Sequence, residues 1–217
     1  MTTLPSDPNV LALLAEGFEE LEFIAPLDIL RRAGATVTTA ALADNKSKRV
    51  TGRSGVTLQA DTTLSDWLDA ATGEPPLSAK LFGLGSRANG LGAYDTPPLR
   101  PADMLLLPGG PGVKLLRADP RVAALVKAHA AAKRWLAAIC AAPTVLNDAG
   151  LLAGRRHTCH ASVLDELPAA LKDERVVVDG NIITSRGAGT AIDFGLTLVG
   201  KLISPEKARE IHAAIAA

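Results

Sequence analysis

Short runs of apolar residues alternate along the chain with stretches whose apolar residues recur at helical spacing. The first run, residues 10–15, is apolar at every position, as expected for a strand buried on both faces of a parallel sheet. Apolar residues then recur at helical spacing until Gly34, which is a typical helix stop. A second apolar run at residues 37–42 completes a predicted β-α-β unit.

The same alternation continues along the rest of the chain. It predicts two further strands (104–107 and 135–139), a hairpin (176–178 and 182–184) around the turn Asp179-Gly180-Asn181, and three helices (122–132, 190–203 and 205–216). Strands that alternate with helices favour a sheet covered on both faces. The sequence therefore predicts an α/β fold, a three-layer sandwich with a largely parallel central sheet.

Residues 72–101 break this alternation, because they are rich in glycine and proline and show little periodicity. Gly83 and Gly85 match only part of a dinucleotide-binding fingerprint, and no strand is predicted before them. We expect an inserted surface loop within a single domain that spans residues 1–217. Loops of this length often act as lids, so a role at the mouth of a site or in contacts between subunits stays open.

Charge and cysteine content argue against several classes of function. Among 217 residues, Lys plus Arg and Asp plus Glu both total 23, so no net field favours nucleic acid or an anionic membrane. The two cysteines are too few for a disulfide framework, and neither they nor the four histidines have the spacing of metal ligands. No apolar run reaches the roughly 20 residues that span a bilayer, and residues 1–9 do not resemble a secretory signal. We expect a cytoplasmic protein without a metal.

One predicted strand ends at a chemically reactive residue. Residues 135–139 stop at Cys140, and a helix is predicted to begin directly after it. A thiol at a helix N-terminus feels the positive end of the helix dipole and unpaired backbone N–H groups, which together lower its pKa. Cys140 is therefore a candidate nucleophile. Cysteine is also among the most buried residue types, so packing in the core is the alternative.

Four short motifs follow one another along the chain. They are Glu16-Gly17-Phe18-Glu19-Glu20-Leu21-Glu22, Leu107-Pro108-Gly109-Gly110, Ala138-Ile139-Cys140-Ala141-Ala142-Pro143 and Thr184-Ser185-Arg186-Gly187-Ala188-Gly189-Thr190. In this order and spacing they resemble the ThiJ/PfpI superfamily, in particular its DJ-type branch, over nearly the whole chain except the predicted insertion. The resemblance implies a flavodoxin-like sandwich, usually a homodimer, with a reactive cysteine on a strained turn between strand and helix.

The resemblance also implies roles for individual residues. Cys140 matches the family's nucleophile, Glu22 matches the glutamate that hydrogen-bonds its sulfur, and His160 matches a histidine near the pocket that only some members keep. The backbone N–H groups of Gly110 and Ala141 would occupy the oxyanion-hole positions. The chemistry implied by these residues requires no metal or organic cofactor.

Electrostatics supports the pairing of Cys140 with Glu22. Two anions in contact repel, so one of the two groups should hold a proton, and a neutral Glu22 could donate to a thiolate and act as a general acid and base. Glu16, Glu19 and Glu20 belong to the same acidic cluster. Without the resemblance, the residues do not distinguish among the four, and a solvated carboxylate in the first turn of a helix is the alternative.

Three functions remain open. The leading hypothesis is an enzyme that acts on reactive dicarbonyls or glycated adducts, in the manner of the glutathione-independent glyoxalases and protein deglycases that the sequence resembles. The second is a redox sensor or redox-regulated chaperone that works through oxidation of Cys140. The third is an intracellular cysteine peptidase or amidase, which needs an aligned Cys–His pair. His160 suits either proton transfer or a structural role, and Cys159 is expected to pack structurally.

The chain departs from the resembled family at three places. The first is the insertion at 72–101, and the second is the presence of Ala161 and Ala188 where relatives often carry proline. The third is Arg53, which is offset from the position of an arginine that often lies near the dimer interface. We expect the fold to survive these differences and the substrate preference to be sensitive to them.

Overall fold

A computed structural model describes residues 8–43, 47–72 and 102–217 of the chain. The strands in these ranges are β1 (Asn9–Leu14), β2 (Thr36–Ala41), β3 (Arg49–Thr51), β4 (Thr57–Gln59), β5 (Thr62–Thr63), β6 (Met104–Leu107), β7 (Trp135–Ile139), β8 (Val176–Asp179) and β9 (Ile182–Ser185). The α-helices are α1 (Glu20–Arg32), α2 (Leu64–Thr72), α3 (Val113–Ala118), α4 (Pro120–Ala131), α5 (Pro143–Asp148), α6 (Ala191–Leu202) and α7 (Pro205–Ala214). Residues 73–101, which hold nearly all of the predicted insertion, lie outside the described ranges.

Seven strands form the central sheet, in the order β5-β2-β1-β6-β7-β9-β8. All neighbouring strands are parallel except β8 and β9, which form the predicted hairpin. The predicted elements agree with the observed ones to within two residues at each end. The expected α/β sandwich with a largely parallel sheet is confirmed.

A second, two-stranded antiparallel sheet pairs β3 with β4, and the sequence analysis did not predict it. Each strand is only three residues long, too short for a hydrophobic period to show. The available signal was the Ser54-Gly55 turn between the apolar residues Val50 and Leu58.

The apolar runs predicted as strands divide their side chains between two cores. Along β1, Val10 and Leu14 belong to one core, whereas Leu11 and Leu13 belong to the other. The first core is closed by α1, α6 and α7, and the second by α2, α3, α4 and α5. Because both faces of the strand are buried, no position of the run can be polar, which explains its continuous apolar pattern.

The carboxyl ends of β1, β6 and β7 meet at one edge of the sheet, since these three strands are neighbours and parallel. The chain leaves β1 toward β2 on one side, whereas β6 lies on the other, and crevices that bind ligands commonly form at such a reversal. Three of the four motifs follow these strands directly. In the described ranges, no helix has both the length and the apolar character needed to cross a membrane.

Candidate active site

Cys140 lies at the sharp turn between β7 and α5. Its φ angle is +65°, in the left-handed region that costs a non-glycine residue on the order of 1–3 kcal/mol. Neighbouring segments hold the residue there, because its N–H donates to the carbonyl of Ser185 (2.9 Å) and its carbonyl accepts from the N–H of His160 (2.8 Å). The side chain is partly exposed. The strand therefore presents a reachable sulfur at its carboxyl end, in agreement with the pattern of residues 135–139.

Glu22 enters the site from the first turn of α1. The Glu19 side chain caps this helix by accepting the Glu22 N–H at 2.8 Å, which fixes the start of the helix. Glu22 is 1% exposed and shares the buried face of α1 with Phe23, Pro26 and Ile29. This spacing was a signal in the sequence, because a carboxylate that continues the apolar face of a helix is directed toward the interior.

Two of the other glutamates in the cluster have structural partners elsewhere. Glu16 accepts the N–H of Thr51 at 3.1 Å, and Glu20 accepts the N–H of Ser54 at 2.7 Å. Glu16 therefore ties the loop before α1 to the end of β3, and Glu20 ties the first turn of α1 to the segment between β3 and β4. Glu22 is the member of the cluster that the fold brings to Cys140.

Gly109 allows the carboxyl and the sulfur to approach each other. A Cβ atom at this position would lie 2.2 Å from Oε2 of Glu22 and 2.6 Å from Cβ of Cys140. Gly110 has a φ of +88°, and a Cβ there would lie 2.6 Å from the backbone nitrogen of Glu19. The two glycines after β6 are thus required by close packing, and an ordinary turn does not account for them.

The ionisation of Glu22 and Cys140 is coupled. Burial raises the pKa of the Glu22 carboxyl from its ordinary value of 4.5 to about 7, and the charge of Glu19 acts in the same direction. Burial and the charge of an ionised Glu22 raise the pKa of the Cys140 thiol from 9.0 to about 12. Because the two groups are in contact, the first proton leaves the pair near pH 7, and the pair then holds one proton over a wide pH range.

These values correct the prediction that the helix N-terminus lowers the pKa of the Cys140 thiol. The N–H groups of Gly110 and Ala141 do donate to the Cys140 sulfur and lower the pKa of the thiol, as the dipole argument requires. Burial and the charge of Glu22 outweigh them. The same two N–H groups are those that the resemblance implied for an oxyanion hole, and both are oriented toward the Cys140 sulfur.

His160 lies on the Glu22 side of the site with its side chain exposed. Its Nδ1 accepts the N–H of Ser162 at 3.2 Å, so a neutral ring carries its proton on Nε2. A Cβ added to Gly187 would lie 3.2 Å from Cδ2 of His160 and 3.7 Å from Oε1 of Glu22. The ring and the carboxyl therefore flank the same glycine.

Cys159 is not part of this site. Its side chain is 2% exposed and packs in the core formed by α2 to α5, whereas Cys140 packs against the other core. Burial raises the pKa of the Cys159 thiol. The prediction that Cys159 has a packing role is confirmed.

Cavity volume does not locate the candidate site. A cavity of about 590 Å³ is lined by residues that include Leu14, Leu42 and Arg121, and by none of Cys140, Glu22 and His160. Across residues 8–43, 47–72 and 102–217, no three His, Cys, Asp or Glu side chains are grouped as metal ligands would be. The site is identified by its paired ionisable groups and its N–H donors.

Comparisons with known proteins agree with the fold and the motifs. The DJ-1/PfpI family matches residues 8–201. The Parkinson disease protein 7 homolog of Danio rerio is 34% identical over 210 residues, which cover 94% of this chain and 95% of that protein. The glutathione-independent glyoxalase DJR-1.2 of Caenorhabditis elegans is 30% identical, covering 93% and 92% of the two chains.

A solved structure gives the same result for the fold. The crystal structure of Drosophila melanogaster DJ-1beta superimposes with a TM-score of 0.78 at 32% sequence identity, over 97% of this chain and 98% of that one. Sequence and structure thus match along nearly the full length of both proteins. The chain belongs to the DJ-1/PfpI family.

Proposed function

We propose that this protein is a cysteine-dependent, cofactor-independent enzyme that acts on small reactive dicarbonyls or their adducts, as glyoxalases and protein deglycases do. The observation that carries the proposal is the pair of Cys140 and Glu22, a nucleophile and a proton carrier in contact that share one proton above about pH 7. Within the described residues, Oε2 of Glu22 is buried and accepts no hydrogen bond of regular geometry. A buried acceptor without a regular partner is costly and needs an explanation, which a role in proton transfer supplies.

In the proposed first step, the Glu22 carboxylate takes the thiol proton and the Cys140 sulfur forms a bond to the aldehyde carbon. The electron pair of the C=O double bond moves to the oxygen. The N–H groups of Gly110 and Ala141 stabilise the developing charge, a contribution worth about 3–4 kcal/mol for one donor in other enzymes. Glu22 then returns the proton to this oxygen, which gives a hemithioacetal.

In the second step, Glu22 removes the proton from the former aldehyde carbon, and a proton is added to the neighbouring carbonyl carbon through an enediol. The aldehyde carbon is thereby oxidised and its neighbour reduced, so no external oxidant is needed. Water cleaves the resulting thioester, which releases a 2-hydroxy acid and restores the thiol. We assign the exchange of protons with solvent to His160, whose exposed ring flanks Gly187 together with Glu22.

The test is turnover of methylglyoxal to lactate without glutathione. The parent protein should form lactate, whereas Cys140→Ala and Glu22→Gln should both be inactive. Cys159→Ala is the matched control and should keep its activity, because Cys159 lies in the other core. An inactive parent, or activity that survives in Cys140→Ala, would exclude the proposed chemistry.

The partial exposure of Cys140 favours redox sensing as a second candidate, since an oxidant can reach this thiol and not the buried Cys159. The donors around the sulfur, which include the N–H groups of Gly110 and Ala141, would stabilise a sulfinate. Formation of a stable Cys140 sulfinate in mild peroxide by a protein without lactate formation would favour the sensor. No observation among the described residues supports a peptidase. Nδ1 of His160 accepts the N–H of Ser162, so this nitrogen is not available to pair with Cys140.

We propose further that the chain is one domain and acts as a cytoplasmic homodimer. The exposed apolar side chains of Leu21 (61%), Ile24 (38%) and Ile192 (47%) lie on α1 and α6, which pack against each other. Exposed aliphatic side chains in this number on one pair of helices favour a contact with a second copy. Light scattering should give the mass of a dimer for the parent and of a monomer for Leu21→Asp. A monomeric parent would contradict this proposal.

A further inference from the structure

The turn after β9 forms one wall of the candidate site. Gly187 lies beside Oε1 of Glu22, and the N–H of Ala188 faces the same carboxyl and lowers its pKa. This donor is a backbone group, so its position depends on the conformation of the turn. What fixes the turn therefore fixes part of the surroundings of Glu22.

The hydroxyl of Thr190 closes this turn. Thr190 is 3% exposed, and its Oγ1 donates to the carbonyl of Gly187 (2.8 Å), accepts the Gly187 N–H (3.2 Å) and lies 2.7 Å from Oγ of Ser185. The Thr190 N–H also donates to the Gly187 carbonyl, at 2.8 Å. One buried side chain thus holds both polar backbone groups of the residue that precedes Ala188.

Ser185 connects the turn to the nucleophile. Its backbone carbonyl accepts the N–H of Cys140 at 2.9 Å, and its hydroxyl, which carries one proton, donates to Oγ1 of Thr190 (2.7 Å) or to the carbonyl of Arg175 (3.1 Å). Ser185 is fully buried, so water does not compete for these bonds. The hydroxyl pair therefore links the wall beside Glu22 to the backbone of Cys140.

We propose that Thr190 is a positioning residue, whose hydroxyl locks the 185–190 turn so that the N–H of Ala188 stays directed at the Glu22 carboxyl. The proposal rests on the proposed function only in that Glu22 carries the proton. The side-chain geometry itself is independent of the substrate. The described titratable groups that face Glu22 are Cys140, Glu19 and, across Gly187, His160.

Loss of the Ala188 donor should raise the pKa of the Glu22 carboxyl. An N–H group directed at a carboxylate favours the ionised form, so loss of the Ala188 donor leaves Glu22 protonated to a higher pH. Carboxylates with two or three such donors titrate well below their ordinary range, which makes one donor worth about one pH unit. A loosened turn should therefore raise the titration midpoint of Glu22 by up to this amount.

The experiment compares Thr190→Val, which is nearly isosteric and lacks the hydroxyl, with Thr190→Ser, which keeps it. The titration midpoint of the Glu22 carboxyl is measured by ¹³C NMR on glutamate-labelled protein and assigned with Glu22→Gln. Thr197→Val is the matched control, because it removes a threonine hydroxyl that donates to the carbonyl of Asp193 within α6 (2.7 Å). Thermal unfolding is recorded for every variant.

The midpoint should rise in Thr190→Val and stay at the parental value in Thr190→Ser and Thr197→Val. A midpoint unchanged in a folded Thr190→Val, with or without a lower melting temperature, would reduce Thr190 to a structural role and overturn the proposal. If Thr190→Val does not fold, Ser185→Ala is judged by the same criterion, and failure of both to fold overturns it as well. Because this measurement needs no aldehyde, an inactive parent would contradict the proposed function and leave the test of Thr190 intact.

Discussion

The stability of the folded protein should decrease with rising pH because of Glu22, and Glu22→Gln should remove this part of the dependence. In the unfolded chain the carboxyl ionises near its ordinary pKa of 4.5, whereas burial raises the pKa to about 7 in the folded protein. Between these values the folded protein holds a proton that the unfolded chain has released. The free energy of unfolding therefore falls as the pH rises from 4.5 through about 7 and levels off above it. Glutamine has a similar volume and no charge, so it does not titrate.

The size of the effect follows from the two pKa values. The interval from 4.5 to about 7 corresponds to about 3 to 4 kcal/mol, at about 1.4 kcal/mol for each pH unit. Linkage places about 2 to 3 kcal/mol of this loss between pH 5 and pH 8. The buried His129, whose pKa is lowered by burial, adds a pH dependence of its own. Its contribution cancels, because the parent and Glu22→Gln both carry it.

Urea unfolding of the parent and Glu22→Gln at pH 5, 6, 7 and 8 measures the difference directly. The unfolding free energy of the variant relative to the parent should increase by about 2 to 3 kcal/mol across the series. Glu20→Gln is the matched control from the same helical turn. The pKa of Glu20 is lowered, because the effect of burial is outweighed by backbone hydrogen bonds, of which that of Ser54 is the largest. The difference in unfolding free energy between Glu20→Gln and the parent should therefore stay constant from pH 5 to pH 8. A constant difference between parent and Glu22→Gln would show that Glu22 ionises like an ordinary carboxylate, and the shared proton would be refuted.

Three further predictions concern the same pair. The rate of Cys140 alkylation in the parent should rise with pH near 7, as the pair loses its first proton, and a flat profile would contradict the coupling. Glu19→Gln should move this rise to lower pH, because the charge of Glu19 raises the pKa of Glu22, and an unshifted profile would argue against that interaction. Gly109→Ala should abolish lactate formation, since its Cβ would lie 2.2 Å from Oε2 of Glu22. Gly189→Ala, whose Cβ would meet no atom within 4 Å, should retain activity, and circular dichroism would verify that both variants fold.

The main elements of the fold were predictable from the sequence because a strand buried on both faces requires apolar residues at every position. The strands Met104–Leu107 and Trp135–Ile139 have the bounds that their apolar runs predict. The strand Thr62–Thr63 was not predictable, since two threonines carry no period. It forms because Ala40 and Ala41 of the adjacent strand offer it a paired edge.

The candidate site was predictable in part. The end of an apolar run at Cys140 located the candidate nucleophile, and the family resemblance selected Glu22 from four glutamates. The dipole argument predicted the wrong direction for the pKa of the Cys140 thiol, because it considers only the local helix. Burial and a carboxylate from a distant helix outweigh that local effect.

The sequence by itself determined the order of the main strands and helices and the position of Cys140 at a strand end. These properties depend on residues close to one another in the chain, where spacing fixes direction. Only the tertiary structure decided that Glu22, Gly109, Cys140 and Ala188 meet, and that burial raises the pKa of both Glu22 and Cys140. Ionisation depends on distance and on exclusion of water, and both are set by the packing of segments that lie far apart in the chain.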